Sequence, residues 1–399
     1  MPQLAAEELG LEHLLPRLKD GGYETERVAR RRAWVEEHTS SVLGHIGAGS
    51  VDPSTLRGNI ENPIGFTQVP LGVAGPVLVH GQHARGLFYV PMATTEGALI
   101  RSYERGMMAL TRAGGVQTAL LLDRNQTAPS FFFPDIEAAA AFEPWVRNQF
   151  TELAAAASET TRHGKRIDLH FYQLGRQVIV NFGFTTGDAH GMNMIVKATD
   201  AICRWIKEHY MPGCTYLLFS GMCSEKRASG FVASRGKGKR VTAGALLPSA
   251  IIKSYLHTTA DALFRVWQST VMGHLQAGAI GYSAHAANGL TALFIATGQD
   301  VANIPNSALA FTCFEPHADG LYVSTTLPAV TIATIGGGTG LATQREALAI
   351  MGCAGSGKAK KLAEIVAAMV LAGEISMGAA IASHEFVAAH EHYGRNRPL

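Results

Sequence analysis

Charge is scarce in this chain. Only 17% of its 399 residues are Asp, Glu, Lys or Arg, against roughly 25% in an ordinary soluble domain. The two signs nearly cancel, 34 Lys+Arg against 32 Asp+Glu, leaving a formal net charge of +2. There is no basic excess or stripe, and so no electrostatic footprint of a nucleic-acid binder. Disorder is excluded as well, because hydrophobic residues reach 47% and net charge is low. The five cysteines (Cys203, Cys214, Cys223, Cys313, Cys353) are scattered and never form C-x-x-C. That spacing argues against a disulfide framework or a structural zinc site and fits a reducing cytoplasm. No H-E-x-x-H pattern, repeat or low-complexity linker is present, and no metal is expected. The first residues, MPQLAAEELG, lack the basic start and apolar core of a signal peptide. Near the C-terminus Glu364, Glu374 and Glu385 interrupt the apolar stretches, so no spanning helix is predicted. What is abundant is glycine, 43 residues, above the usual share of roughly 7%. A glycine-rich chain with so little charge should hide more surface than a monomer needs, as in subunit contacts.

At this length the chain holds two or three domains and buries enough surface to need no covalent staple. Residues 1–50 read as short amphipathic helices. From Val51 glycine and proline punctuate short β-prone runs, as in ENPIGFTQVPLGVAGP. In VPMATTEGALIRSYERGMMALTRAGG, Thr94 and Thr95 are candidate caps. Leu99, Tyr103, Met107 and Leu110 keep helical spacing, and Gly114-Gly115 ends the run. Residues 135–218 look like a separate α+β unit. FEPWVRNQFTELAAAASETTRHG is helical, and IDLHFYQLGRQVIVNFGF reads as two strands around a Gly175 turn. Val178, Val180, Phe182 and Phe184 alternate as in a half-buried strand. TTGDAHGMNM then turns into a helix carrying Ile195, Ala198, Ile202 and Ile206. After Ser220 the chain returns to glycine-rich strands and apolar helices, so the unit reads as an insertion.

Single motifs carry little. The TTGD turn at 185–188 places backbone N–H groups and a helix start where a pyrophosphate could bind, or it is a plain tight turn. GCAGSGK (352–358) nearly matches a phosphate loop, but Ala359 stands where Ser or Thr would hold Mg²⁺; a flexible turn is the better reading. IGGGTG (335–340) requires close backbone approach by a ligand or a neighbouring element. Glu96, at a predicted helix start, reads as a cap stabilised by the dipole. Asp300 follows the apolar helix HAANGLTALFIATGQD, whose C-terminal end disfavours a carboxylate. Lys226-Arg227 read as loop charge, and His384, His390 and His392 as acid candidates or plain surface.

Together, ENPIGFTQVPLGVAGP, PMATTEGALIRS, TTGDAHGMNM, HAANGLTALFIATGQD and GGGTGLATQ, in this order between Glu61 and Arg395, resemble the 3-hydroxy-3-methylglutaryl-coenzyme A (HMG-CoA) reductase family. ENPIG and the compact C-terminus look like its class I (eukaryotic and archaeal) type. The resemblance implies an α+β fold: a large α/β catalytic domain round a central helix (51–134 and 219–399), an N-terminal helical region (1–50), and an inserted ferredoxin-like cofactor domain (135–218). It implies reduction of an acyl-CoA thioester to an alcohol through a hemithioacetal and an aldehyde, with NADPH as cofactor and NADH left open. In that scheme Lys226 stabilises the developing oxyanion and Glu96, with a raised pKa, donates protons. Asp300 links and polarises these two, and His390 protonates the departing CoA thiolate. Ser102, Arg105, Ser220, Arg227, His285 and Asn288 support the catalytic groups or bind substrate and CoA. Asp188, Gly191, Met192, Asn193 and Gly336, Gly337 and Gly338 belong to the cofactor side. A homodimer with shared active sites is implied, with neither nucleic acid nor membrane as partner.

Some positions depart from the family pattern. Phe132 stands where an arginine pairs the substrate's free carboxylate, Glu225 replaces an aspartate, and His190 replaces a methionine. Glu104 replaces an asparagine, His257 a lysine, and Phe184-Thr185 lack an arginine for a 2′-phosphate. Three readings follow: a mevalonate-forming reductase, the same scaffold acting on a less acidic acyl thioester on CoA or a carrier protein, and a ligand-binding homologue without turnover.

Overall fold

The computed structural model describes residues 22–160, 168–210 and 214–384. Ten strands form one continuous sheet system: β1 (Leu71–His80), β2 (Arg85–Ala93), β3 (Val116–Thr127), β4 (Ser130–Phe132), β5 (Asp168–Leu174), β6 (Gln177–Phe184), β7 (Thr215–Leu217), β8 (Gly238–Pro248), β9 (Phe311–His317) and β10 (Gly320–Val330). The path runs β7-β4-β6-β3-β8-β10-β9, with β1 beside β2 and β3, and β5 beside β6.

Strand β3 joins two packing units. Its first residues pair with β1 and β8, while Asn125–Thr127 pair with β6. On the far side the order β4, two helices, β5, β6, a helix, β7 gives spatial order β7-β4-β6-β5, antiparallel throughout. This is the ferredoxin-like arrangement. Its core runs from Phe131 to Cys214 and includes Ile195, Ala198, Ile202 and Ile206 of the helix Met192–His209. The predicted helical stretch is two helices, Ile136–Asn148 and Phe150–Ser158. Strand β6 is not half-buried: Ile179 and Asn181, between the alternating apolar residues, are buried too. Neighbours cover both of its faces, so alternation understates its burial.

The larger core surrounds the helix Ala359–Ala382, in which every residue from Leu362 to Ser376 is buried. By length and composition alone this helix could cross a membrane, the only such helix among the described residues. Here it is the core helix, and its two glutamates are used internally. Glu364 accepts the backbone N–H groups of Gln82, His83 and Ala84 at 3.2, 2.8 and 2.6 Å. Glu374 accepts those of Ala284 and His285 at 2.8 and 2.7 Å, with the Thr312 hydroxyl at 3.3 Å. A Cβ at Gly106, in the helix Leu99–Arg112, would lie 1.9 Å from the Ala372 carbonyl. Only glycine lets these two helices approach so closely.

Leu99, Tyr103, Met107 and Leu110 are buried as their spacing predicts. The cap differs from expectation. The helix starts at Leu99 behind Ala98 (φ 68), with no side-chain cap. Thr94 instead accepts the Glu96 N–H in the preceding turn. Glu96 therefore lies three residues ahead of the helix.

Candidate active site

Lys226 sits in the loop after β7 with a left-handed backbone, φ 61. Its Nζ lies 3.0 Å from Oδ2 of Asp300, with the side chains 47% and 39% exposed. The pair is open enough to be reached and close enough to be fixed. Asp300 escapes the unfavourable helix end because Gly298 (φ 68) closes the helix Ala286–Thr297. The aspartate then caps the next turn, accepting from Ala302 N at 3.0 Å and Asn303 Nδ2 at 3.1 Å. Burial pushes its pKa up, but Lys226 and the Ala302 N–H outweigh burial and hold it below the ordinary value. Reading Lys226 as plain solvated charge is thus corrected: its ammonium is oriented.

Glu96 accepts from Asn288 Nδ2 at 3.4 Å and is exposed in the single chain. No hydrogen bond or ion pair joins Glu96 to Lys226 or Asp300 among the described residues, so Asp300 holds only one of the two groups it was expected to link. His390 and His392 lie outside the described residues.

Arg105 donates to the Ser376 hydroxyl and carbonyl at 3.0 and 2.6 Å, and Ser102 Oγ lies 3.2 Å from the same hydroxyl. Ser220 Oγ is tied to Ala128 O at 2.7 Å, and Arg227 reaches back to Glu225 O at 3.3 Å. Phe132 is half-buried on β4, opposite Gln177 and Thr215, while Phe131 and Phe133 fill the core.

His285 is buried against Tyr103, ring centroids 4.8 Å apart, and neither ring nitrogen has a hydrogen-bond partner among the described residues. Tyr103, predicted only as an apolar helix position, also donates its hydroxyl to His285 O at 2.6 Å and accepts from Gly289 N at 3.1 Å. Burial pulls the His285 pKa from 6.5 down to about 4. Between these values the unfolded chain binds a proton that the folded chain does not, so the stability contribution is complete above 6.5 and is lost as pH falls toward 4. The expected loss is on the order of 3 kcal/mol. Denaturant titrations across this range should show a shallower pH slope for His285→Leu. An unchanged slope would refute the assignment.

On the other side, the glycine turn carries Asp188, whose carboxylate accepts the N–H groups of Gly357 and Ala359 at 2.7 and 3.0 Å. The near-phosphate loop GCAGSGK thus already holds an anion, an aspartate of the same chain, and is not a free turn. Gly191 (φ 77) precedes the helix Met192–His209 without a side-chain cap, and Asn193 is exposed in its first turn. The close approach predicted for IGGGTG is made by backbone: a Cβ on Gly338 would meet Gly298 O at 2.6 Å. Gly336 and Gly337 face open space.

Sequence reasoning missed one cluster. Lys237, fully buried, pairs with Glu225 at 2.7 Å, and His190 Nε2 lies 3.5 Å from the same carboxylate. Burial lowers the His190 pKa, with Glu225 opposing. In GKGKR the lysine reads as a solvated charge run, and its one available signal is the glycine on either side.

This helix-centred α+β fold with its ferredoxin-like unit is that of an oxidoreductase class that reduces acyl-CoA thioesters. Comparison supplies the particular family: residues 27–395 match the family described as hydroxymethylglutaryl-coenzyme A reductase. The chain is 44% identical over 375 residues to 3-hydroxy-3-methylglutaryl-coenzyme A reductase of Pyrococcus abyssi, covering 92% of each protein. It is 40% identical over 385 residues to the Aeropyrum pernix protein of that name, covering 94% of this chain and 91% of the other. In fold it resembles the class II reductase of Streptococcus pneumoniae solved with NADPH, with TM-score 0.67 and 20% identity over 89% of this chain and 96% of that one. The chain belongs to the HMG-CoA reductase family.

Proposed function

We propose that this chain reduces (S)-3-hydroxy-3-methylglutaryl-CoA to mevalonate and CoA, with NADPH as reductant, as a cytoplasmic homodimer independent of membrane and nucleic acid. The carrying observation is the oriented Lys226–Asp300 pair within a family fold. The residues present suit a dinucleotide. The helix Met192–His209 opens with uncapped N–H groups, a ready anion site, and Gly336 and Gly337 leave room beside their backbone. Gly191, Met192, Asn193 and these glycines would hold it, while Asp188 shapes the turn through Gly357 and Ala359. When bound, reduced nicotinamide would supply hydride, one from each of two successive cofactor molecules, for the four-electron reduction of thioester to alcohol. Lys226 presents its ammonium to the thioester oxygen as negative charge develops there, and Asp300 holds that ammonium in place. Glu96 donates the proton to the oxygen once a partner subunit covers it, and Asn288 orients its carboxylate. His390 protonates the departing thiolate, which prevents its return to the aldehyde.

A second reading keeps the reaction and changes the substrate. Phe132 offers a half-buried apolar surface where the resemblance places a cation, and an unpaired substrate carboxylate there would be penalised. One assay separates the readings: hydroxymethylglutaryl-CoA with NADPH or NADH, following cofactor absorbance. Oxidation supports the mevalonate reading. Failure with both cofactors ends it, and turnover of less acidic acyl thioesters then favours the second. If none turns over and Lys226→Ala leaves ligand binding unchanged, a binding protein without turnover is the better description.

A further inference from the structure

The loop bearing Lys226 is held in an uncommon shape. Ser224 (φ 49) and Lys226 (φ 61) are both left-handed, a conformation that L-residues other than Asn and Asp seldom adopt. Between them Glu225 reaches inward to Lys237, whose Nζ also donates to Asn125 Oδ1 at 3.0 Å and Gln126 O at 3.3 Å on β3. A second connection runs alongside, because Asn125 Nδ2 donates to His190 O at 2.8 Å, and the His190 imidazole packs 3.5 Å from Glu225 without a hydrogen bond among the described residues. Strand β3, the turn before the helix Met192–His209, the lysine loop and the start of β8 therefore share one buried carboxylate.

We infer that Glu225 is the positioning residue for Lys226, and that His190 couples this positioning to the glycine turn before the helix Met192–His209. Glu225 touches neither of the paired groups at Lys226 and Asp300. It anchors the backbone immediately before Lys226 to a lysine with no exposed surface. A buried ammonium demands a carboxylate partner, so the anchor is strong, and the next residue inherits its place. The ammonium then meets Asp300 across the loop at 3.0 Å. Movement of the glycine turn reaches Lys226 through His190 and Glu225. The role rests on the reductase reading in so far as activity reports it, and its geometric readout does not.

Glu225→Gln is expected to lower kcat about 10-fold to 100-fold, the effect of misplacing a reacting group by about an ångström, with KM for both substrates nearly unchanged. Glu225→Asp, which keeps the charge, should recover part of that loss. His190→Met should cause a smaller fall in kcat alone. The double variant Glu225→Gln/Lys237→Met removes the buried charge together with its partner, so it folds where the single variant is unstable. Its kcat should match that of Glu225→Gln, since residues acting as one unit are not additive. Wild-type kcat in the double variant, or a loss confined to KM, overturns the inference. A crystal structure of the double variant decides without turnover: separation of Lys226 Nζ from Asp300 beyond about 4 Å supports the role, and an intact pair refutes it. A wild-type chain that reduces no acyl-CoA would sink the proposed function and leave this structural measurement standing.

Discussion

Lys226→Ala is expected to reduce turnover of the acyl-CoA thioester by about 10²–10³-fold while acyl-CoA binding changes little, the usual effect of removing one pre-organised oxyanion donor. The expectation follows from how the lysine is held. A free surface lysine is a flexible, hydrated point charge, and its loss would cost little. Here the ammonium is tied to Asp300 at 3.0 Å, and that aspartate is itself fixed by two donors of its own turn. The charge is therefore oriented before any substrate arrives, and orientation in advance is what lets a donor act on the transition state more than on the ground state. Lys226→Arg retains charge but not the compact ammonium, and should recover only part of the rate. Asp300→Asn leaves the ammonium present but unheld and should fall between the two. Steady-state kinetics with direct acyl-CoA titration provides the check. A Lys226→Ala protein within about tenfold of wild type, or one that loses activity only through weaker binding, would remove the lysine from the chemistry.

Local patterns made the elements legible, whereas partners far apart in sequence stayed hidden. The period of Leu99, Tyr103, Met107 and Leu110 marks a buried helix face, and the structure buries all four. The order of strands and helices around the Gly175 turn likewise announces the inserted unit. Periodicity says nothing about which polar groups meet, however. Asp300 read as a carboxylate at an unfavourable helix end because the Gly298 turn is invisible to helical spacing; the same residue starts the following turn and pairs with a lysine far upstream in the chain. By sequence the TTGD turn is open between a pyrophosphate site and a plain turn, and the loop at 352–358 reads as a flexible turn; Asp188 instead accepts from Gly357 and Ala359 and joins the two. Glu96 shows a further limit. It is exposed in the single chain, and no single-chain pattern reports what a second subunit would cover.

Glu374→Leu is expected to destabilise the fold by about 1–3 kcal/mol, the cost of leaving a buried donor unpaired. The leucine fills the space but accepts nothing: the buried His285 N–H loses its acceptor, whereas Ala284 is exposed to water and the Thr312 hydroxyl keeps Thr325 Oγ1 at 3.2 Å. That donor is the His285 N–H, which has no other acceptor among the described residues. Glu364 gives the internal comparison. It accepts three backbone N–H groups, of which Gln82 and His83 lie on an exposed hairpin turn where water can replace it and only that of Ala84 is buried, so Glu364→Leu should cost about as much. The pH dependence of the Glu374→Leu penalty has a definite sign. Burial pushes the Glu374 carboxyl above its ordinary 4.5, against the donors that pull it down. The folded chain thus holds this proton more tightly than the unfolded chain, and the stabilisation it contributes is complete below 4.5 and declines as pH rises through the folded value. The penalty of Glu374→Leu should therefore be greatest in mild acid and smaller at neutral pH, measured as the gap between denaturant midpoints of the two proteins. Activity should fall with stability, because Ala284 and His285 begin the segment that carries Asn288 toward Glu96 and ends at the turn before Asp300. A penalty below about 1 kcal/mol, the scale of an ordinary surface change, would mean that water or a neighbouring group takes over the freed donors and that Glu374 does not hold this segment in place.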